Sequence, residues 1–267
     1  MLTQGAPRRR LIGAAGVAIC AAALLSRQTQ AGTGAFTVLA ASTLMSALDS
    51  LAAAYRSTSG SAMQMVYGPS SVLERSLGQG IAADIFFPAS SAWMDRAQAA
   101  RLIRPATRHD LLTSRLVLFA RRGNVVDDLV GDGLKLSATL APRGRLAICN
   151  PDLIVSGDYA RASLHAMGQW ETVQASIVIA IDEQMLRGIV ATGDAALGIA
   201  FDTDVASDSR LEIVGVLPEG SHPPIVFPVA LTSTASPLAV RLLDYLGGRE
   251  AAALFTRYGY GLAGRPT

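Results

Sequence analysis

The chain is poor in the residues that would tie it to several large functional classes. Of its 267 residues only two are cysteine, Cys20 and Cys149. Cys20 lies in an N-terminal segment that reads as a removable leader, so one thiol remains and no intramolecular disulfide can form. Stability must come from packed cores. There is no GxSxG, no GxxxxGK followed by Ser or Thr, no HExxH and no paired-cysteine motif, which removes the common hydrolase, nucleotide-binding and zinc signatures. The histidines, His109, His165 and His222, are isolated from one another. A pairing of His109-Asp110 with a distant serine is a formal alternative only, because a triad is recognised by geometry.

An excess of positive charge is also missing. There are 23 basic and 21 acidic residues, but Arg8, Arg9, Arg10 and Arg27 fall in the first 31 positions, which hold no Asp or Glu. Beyond residue 31 the balance is 19 basic against 21 acidic, a net charge of about −2. Nucleic-acid binding loses its main electrostatic support.

What is present begins with an export signal. A charged start, PRRR, precedes the apolar run Leu11 to Leu25 and then the polar SRQTQA, the layout of a secretory leader with cleavage expected after Ala31. Fifteen apolar residues are too few for a comfortable membrane span. The paired arginines suit twin-arginine export and Sec export equally. A lipoprotein would need a small residue before Cys20, where Ile19 stands. The rest of the chain has no comparable apolar stretch, and the mature protein is expected in the periplasm.

From Phe36 onward short apolar runs alternate with amphipathic segments. FTVLAA, MQMVY and ADIFFPA read as strands; Leu44, Leu48, Leu51 and Tyr55 form a helical stripe, and SSVLERSL and SAWMDRAQAARLI read as helices. A Gly/Asp-rich patch at Gly131 to Gly133 follows the strand SRLVLFARRG. Later GRLAICN, SIVIAI, ALGIAFDTD, LEIVGVLPEG and PIVFPVALT carry β content, and the terminal PLAVRLLDYLGGREAAALFTRYGY is helical with a break at Gly247-Gly248. This is the βαβ rhythm of parallel sheets covered by helices, in two α/β lobes.

Three strand-to-helix junctions carry hydroxyls at a helix start: Ser42-Thr43, Gly68-Pro69-Ser70-Ser71, and Asn150 to Tyr159, where Ser156 and Gly157 are expected just before the helix. Helix N-termini present unpaired amides and a positive dipole end, so each is an anion site in principle. Ordinary N-capping explains Thr43 and Ser70 as well. Three such junctions in one α/β chain favour a ligand at the carboxyl ends of the strands.

The stretches TVLAASTLMSAL, SSVLERSLGQGIAADIFFPASSAWMD, GRLAICNPDLIVSGDYARASL, AALGIAFDTDV, PEGSHPPIVFPVAL and FTRYGYG, in this order, resemble the periplasmic molybdate-binding proteins of ABC importers, from about Phe36 to Gly261. The resemblance implies a type II periplasmic-binding-protein fold: two α/β lobes, each a mostly parallel sheet flanked by helices, hinged by crossover strands. It divides the chain into a leader (1–31), a first lobe (32–114), a second lobe (115–227) and a return segment to the first lobe (228–267). It implies a monomeric, non-enzymatic protein without a cofactor, whose ligand is molybdate or tungstate and whose partner is an ABC permease.

Carried over by position, the family's two loop serines fall on Thr43 and Ser70. Its third-loop small residue falls on Ser156, an apolar residue's backbone amide on Glu183, and a hydroxyl-donating tyrosine on Phe201. Glu183 and Phe201 depart from the pattern. The Glu183 carboxylate either points away while its amide donates, or bonds the oxoanion's metal, as in a branch of the family whose second acid is replaced here by Ile154. The same two departures leave open a cleft that takes another small anion or an organic acid. A periplasmic sensor subunit and a hydrolase are more distant alternatives.

Overall fold

The structure, a computed structural model, describes residues 35–124, 136, 140 and 144–264. The leader and the Gly131 to Gly133 patch lie outside the described residues. The strands are β1 Ala35–Ala41, β2 Ala62–Gly68, β3 Ile85–Phe87, β4 His109–Thr113, β5 Leu116–Arg121, β6 Leu146–Cys149, β7 Ile177–Ala180, β8 Leu197–Phe201, β9 Leu211–Val216, β10 Val226–Leu231 and β11 Gly261–Leu262. The described helices are α1 Met45–Ser59, α2 Ser70–Gly78, α3 Ser91–Ala99, α4 Val155–Ala166, α5 Trp170–Val173, α6 Glu183–Thr192, α7 Asp202–Ala206, α8 Ala239–Leu246 and α9 Arg249–Arg257.

The strands form two sheets, in the orders β11-β4-β10-β3-β1-β2 and β7-β6-β8-β5-β9. Helices flank them, and the fold is a two-lobed α/β architecture. Parallel pairing is confined to β1 with β2 and β3, and to β6 with β7 and β8. The antiparallel partners are β10 and β11 in the first sheet, and β5 against β8 and β9 in the second. Both sheets are therefore mixed rather than mostly parallel. The reason lies in the connections: β4 leads through Ser114 and Arg115 directly into β5, and β9 returns through 217–225 to β10, so the strands that join the lobes run against their neighbours.

Local sequence explains most elements. β1 is apolar and almost wholly buried, and α1 buries Ala47, Leu48, Leu51 and Tyr55 before Gly60 closes it at φ 72°, in the left-handed region that glycine tolerates. The α3 face differs from the partly apolar stripe Trp93, Ala97, Ala100 and Leu102 that the sequence suggests. Met94 and Ala97 are its buried residues, the helix ends at Ala99, and Ala100 is exposed. Between the sheets runs a chain of tilted ring contacts, Tyr159 to Phe201 to Phe227 to Tyr260, with centroids 5.5–5.9 Å apart. Tyr159 lies on α4 and Phe201 ends β8 in the second sheet, while Phe227 lies on β10 in the first sheet and Tyr260 just before β11, so an apolar floor spans the two sheets. Asp202, next to Phe201, accepts from Ser114 Oγ at 2.7 Å and pairs with Arg115 Nε at 2.9 Å. That pins the end of β8 to the crossover.

Candidate functional site

Five strand ends meet between the lobes. In register, Ala41 ending β1 pairs with Gly68 ending β2, and Cys149 ending β6 pairs with Ala180 ending β7; β8 ends at Phe201. Just past these ends lie Thr43, Ser70, Ser156 and Glu183. All five expected residues line one cleft of about 240 Å³, together with Ala41, Ser42, Gly68, Pro69, Ala89, Ile154, Val155, Ile181 and Asp182. At about 30 Å³ per water molecule the cleft holds a tetrahedral oxyanion of five heavy atoms with room for solvent. None of its lining residues is Lys, Arg or His.

The donors are neutral groups. Ser70 is buried and its Oγ accepts from the Ala89 amide at 3.0 Å, which leaves its hydroxyl proton free to donate. Ser156 is buried too, and its Oγ meets no nitrogen or oxygen partner, only the Cys149 thiol beside it. A hydroxyl left beside a weak sulfur partner is a position where a bound acceptor would complete its hydrogen bonding. Neither Ser70 nor Thr43 caps its helix: Pro69 is the N-cap of α2, and no side chain caps the 3-10 turn Ser42–Leu44. Ser156 and Gly157 lie inside the first turn of α4, not before it. The amino ends of α2, α4 and α6 thus all open on the cleft, with first-turn amides and positive dipole ends.

Gly157 makes that placement possible. A Cβ there would collide with the Cys149 carbonyl oxygen and come within 3.0 Å of the Asn150 carbonyl carbon, so only glycine lets α4 start hard against the end of β6. Near the cleft, Ser71 Oγ donates to Leu153 O at 3.1 Å, and Thr43 Oγ1 donates to Asp204 Oδ1 at 2.6 Å, tying the loops after β1 and β2 to those after β6 and β8. Thr43 is held from the other side as well, its carbonyl accepting from Tyr260 Oη at 2.7 Å.

Phe201 is buried and supplies apolar wall, in T-shaped contact with Tyr159. The Tyr159 hydroxyl is engaged with Pro224 O at 3.3 Å. Glu183 opens α6 behind its N-cap Asp182, whose side chain accepts from the Met185 amide. Burial pushes the Glu183 carboxyl above its usual range; Asp182 adds to this, while its own amide and Arg187 pull it back. Ile154, where a second acid would stand, is buried.

Sequence reasoning passed over Asp204. It lies in the stretch FDTD after β8, where the structure forms the short helix α7. Its carboxyl is buried and pushed up to about 7, first by burial and then by the charge of Glu183, against the Thr43 hydrogen bond. The spacing from Phe201 was legible; burial by a segment 161 residues distant was not.

With this geometry in place, comparison with known proteins decides the family. Residues 36–261 match the family described as bacterial extracellular solute-binding protein. The chain belongs to that family. It is 32% identical over 231 residues to the molybdate-binding protein ModA of Escherichia coli (strain K12), covering 86% of this chain and 90% of that one. Among solved structures, the Azotobacter vinelandii periplasmic molybdate-binding protein superposes with a TM-score of 0.74 at 22% identity, over 87% of this chain and 100% of that chain. The sulfate-binding protein SubI from Mycobacterium tuberculosis H37Rv superposes at 0.70 with 14% identity, over 87% and 88%. These two likenesses speak for the fold, which serves more than one oxyanion. No helix among the described residues is long and apolar enough to cross a membrane.

Proposed function

We propose that this solute-binding protein captures molybdate, and tungstate with it, in the interlobe cleft and delivers it from the periplasm to an ABC importer. The observation that carries the reading is that the buried Ser70 and Ser156 hydroxyls, the latter without a nitrogen or oxygen partner, line one cleft with no cationic side chain in its wall. A dianion there is held by hydroxyls and helix-start amides from both lobes, Thr43, Ser70 and Ser156 by their hydroxyls and Glu183 by its backbone N–H. Phe201 closes the wall. Such charge-assisted hydrogen bonds contribute about 1.5–3 kcal/mol each, and neutral donors release the ligand without breaking an ion pair. The relatives named above as molybdate-binding supply the choice of anion.

The chain acts by binding rather than by catalysis. None of the histidines lines the cleft; His165 stacks on Trp170 and His222 packs against Tyr159. A monomer fits a protein that must present both lobes to a permease, with residues 115–227 as the second lobe and 228–267 as the return to the first. Selectivity over sulfate would come from size, since a cage of fixed donors sets oxygen positions rather than the central atom.

Calorimetric titration of ligand-free protein with molybdate, tungstate, sulfate and phosphate tests the reading. Saturable one-to-one binding of the first two at micromolar or lower concentration, with sulfate and phosphate much weaker, is expected. Absence of molybdate and tungstate binding would reject it.

A further inference from the structure

The proposed cleft takes no account of what stands behind Thr43. A neighbouring cavity of about 480 Å³ shares Thr43 and Glu183 with the cleft and is lined further by Arg187, Thr203, Asp204 and Arg257. Asp204 is buried in its wall. One of its carboxyl oxygens takes the Thr43 hydroxyl proton; the other, Oδ2, is buried with no partner at all. A threonine hydroxyl has one proton to give. While Asp204 is ionised it accepts that proton, so Thr43 turns only lone pairs toward the cleft. An oxyanion placed there meets repulsion at Thr43 and a second negative charge behind it.

Resting on the molybdate reading, we propose that Asp204 is a positioning residue for anion capture: protonated, it donates to Thr43 Oγ1 and frees the Thr43 proton to donate to the bound oxyanion. The balance is simple. One proton from solvent joins the Asp204 carboxylate, the Thr43–Asp204 hydrogen bond reverses its direction, and the Thr43 O–H swings into the cleft. No covalent bond between heavy atoms changes. Binding of the dianion is then linked to uptake of one proton by the protein. Because the Thr43–Asp204 bond joins the two lobes, the same bond that orients the donor also holds the cleft shut.

The electrostatic surroundings agree. Glu183 and Arg187 face Asp204 from α6, Asp202 from its own helix α7, Cys149 from β6, and Tyr260 from the segment after α9; Asp182, Arg257 and Tyr258 line the same cavity. Burial and the Glu183 charge raise the Asp204 carboxyl to about 7, while Arg187 opposes them. A folded carboxyl with a raised pKa keeps its proton below that value and loses it above, so the competent donor arrangement is filled below about pH 7 and depleted above. The apparent dissociation constant scales inversely with the competent fraction, which gives roughly a tenfold loss of affinity per pH unit on the alkaline side.

The experiment is calorimetric titration of the purified protein with sodium molybdate between about pH 6 and about pH 9, in buffers of different ionisation enthalpy. Wild-type protein should take up close to one proton per anion at about pH 8, with affinity falling about tenfold per pH unit above about 7. Asp204→Asn carries an amide that donates to Thr43 at any pH. It should bind with no net proton uptake, with a flat profile, and about tenfold more tightly than wild type at about pH 8. Glu183→Gln should keep the proton uptake and move its midpoint to lower pH, because a neighbouring charge is gone. Should Asp204→Asn not fold, Thr43→Val removes the relay at the other end and should bind weakly at every pH, with a shallower pH profile than wild type because only the direct repulsion from Asp204 remains. A wild-type protein that binds molybdate with a flat profile and no proton uptake overturns the inference and leaves the molybdate reading intact. So does an Asp204→Asn variant that retains the wild-type proton uptake. Failure of wild type to bind molybdate at any pH in the series sinks the functional reading itself.

Discussion

Gly157→Ala will lower molybdate affinity by about ten- to 150-fold. The added Cβ would meet the Cys149 carbonyl oxygen at a distance no real contact allows, and both atoms that conflict are backbone, so no side-chain rotation relieves it. The first turn of α4 must move away from the end of β6 and carry the Ser156 hydroxyl with it. Losing that hydrogen bond to a charged guest costs about 1.5–3 kcal/mol of affinity, and overpacking of this kind costs about 1–3 kcal/mol in stability. Gly188 in α6 is the control, because a Cβ there meets nothing within 4 Å. Gly188→Ala should raise stability by about 0.4–1 kcal/mol and leave binding alone. Calorimetry with denaturant titration measures both; wild-type affinity in Gly157→Ala would show that the start of α4 is not part of the site.

Ser70→Ala is the second large effect, and it has two parts. The hydroxyl accepts the Ala89 amide at 3.0 Å while its proton serves the ligand. Removing it strands a buried N–H, at about 1–3 kcal/mol of stability, and deletes a hydrogen bond to a charged guest, at about 1.5–3 kcal/mol of affinity. The expected loss in molybdate affinity is therefore about ten- to 150-fold, with a lowered denaturation midpoint. Unchanged affinity in the folded variant would remove Ser70 from the cage.

How much of this was legible in the sequence depends on the range of the interactions involved. Periodicity placed β1, β2, α1 and α2, because apolar alternation and helical stripes are local signals. The break at Gly247-Gly248 correctly separated α8 from α9. The strand β4, His109–Thr113, was passed over, because its residues are largely exposed or half-buried and its pairing comes from β10 and β11, more than a hundred residues on. Helix α7 leaves no signal in the sequence, because five residues are too few to show a period.

The cleft residues were found through their place after strand ends, and the structure brings all five to one void. What their hydroxyls do was not readable. The capping role that residue type suggests for Thr43 and Ser70 is not the one they have: one hydroxyl reaches Asp204 in the opposite lobe, the other serves the Ala89 amide. Serine and threonine at a helix start look alike on paper whether they close their own helix or reach across a fold. Asp204 is the sharper case. An aspartate following Asp202 and Thr203 reads as solvated, and only the packing of α6, α7 and the turn holding Thr43 makes it buried and poorly ionised.

The central claim is that neutral donors from both lobes surround one oxyanion, and anomalous diffraction from crystals of the protein grown with sodium molybdate tests it most directly. The account predicts a single molybdenum peak per chain between the lobes, with its oxygens about 2.7–3.2 Å from the Ser70 and Ser156 hydroxyls and the Glu183 amide. A fully occupied peak elsewhere, or one bound through an arginine, would contradict it.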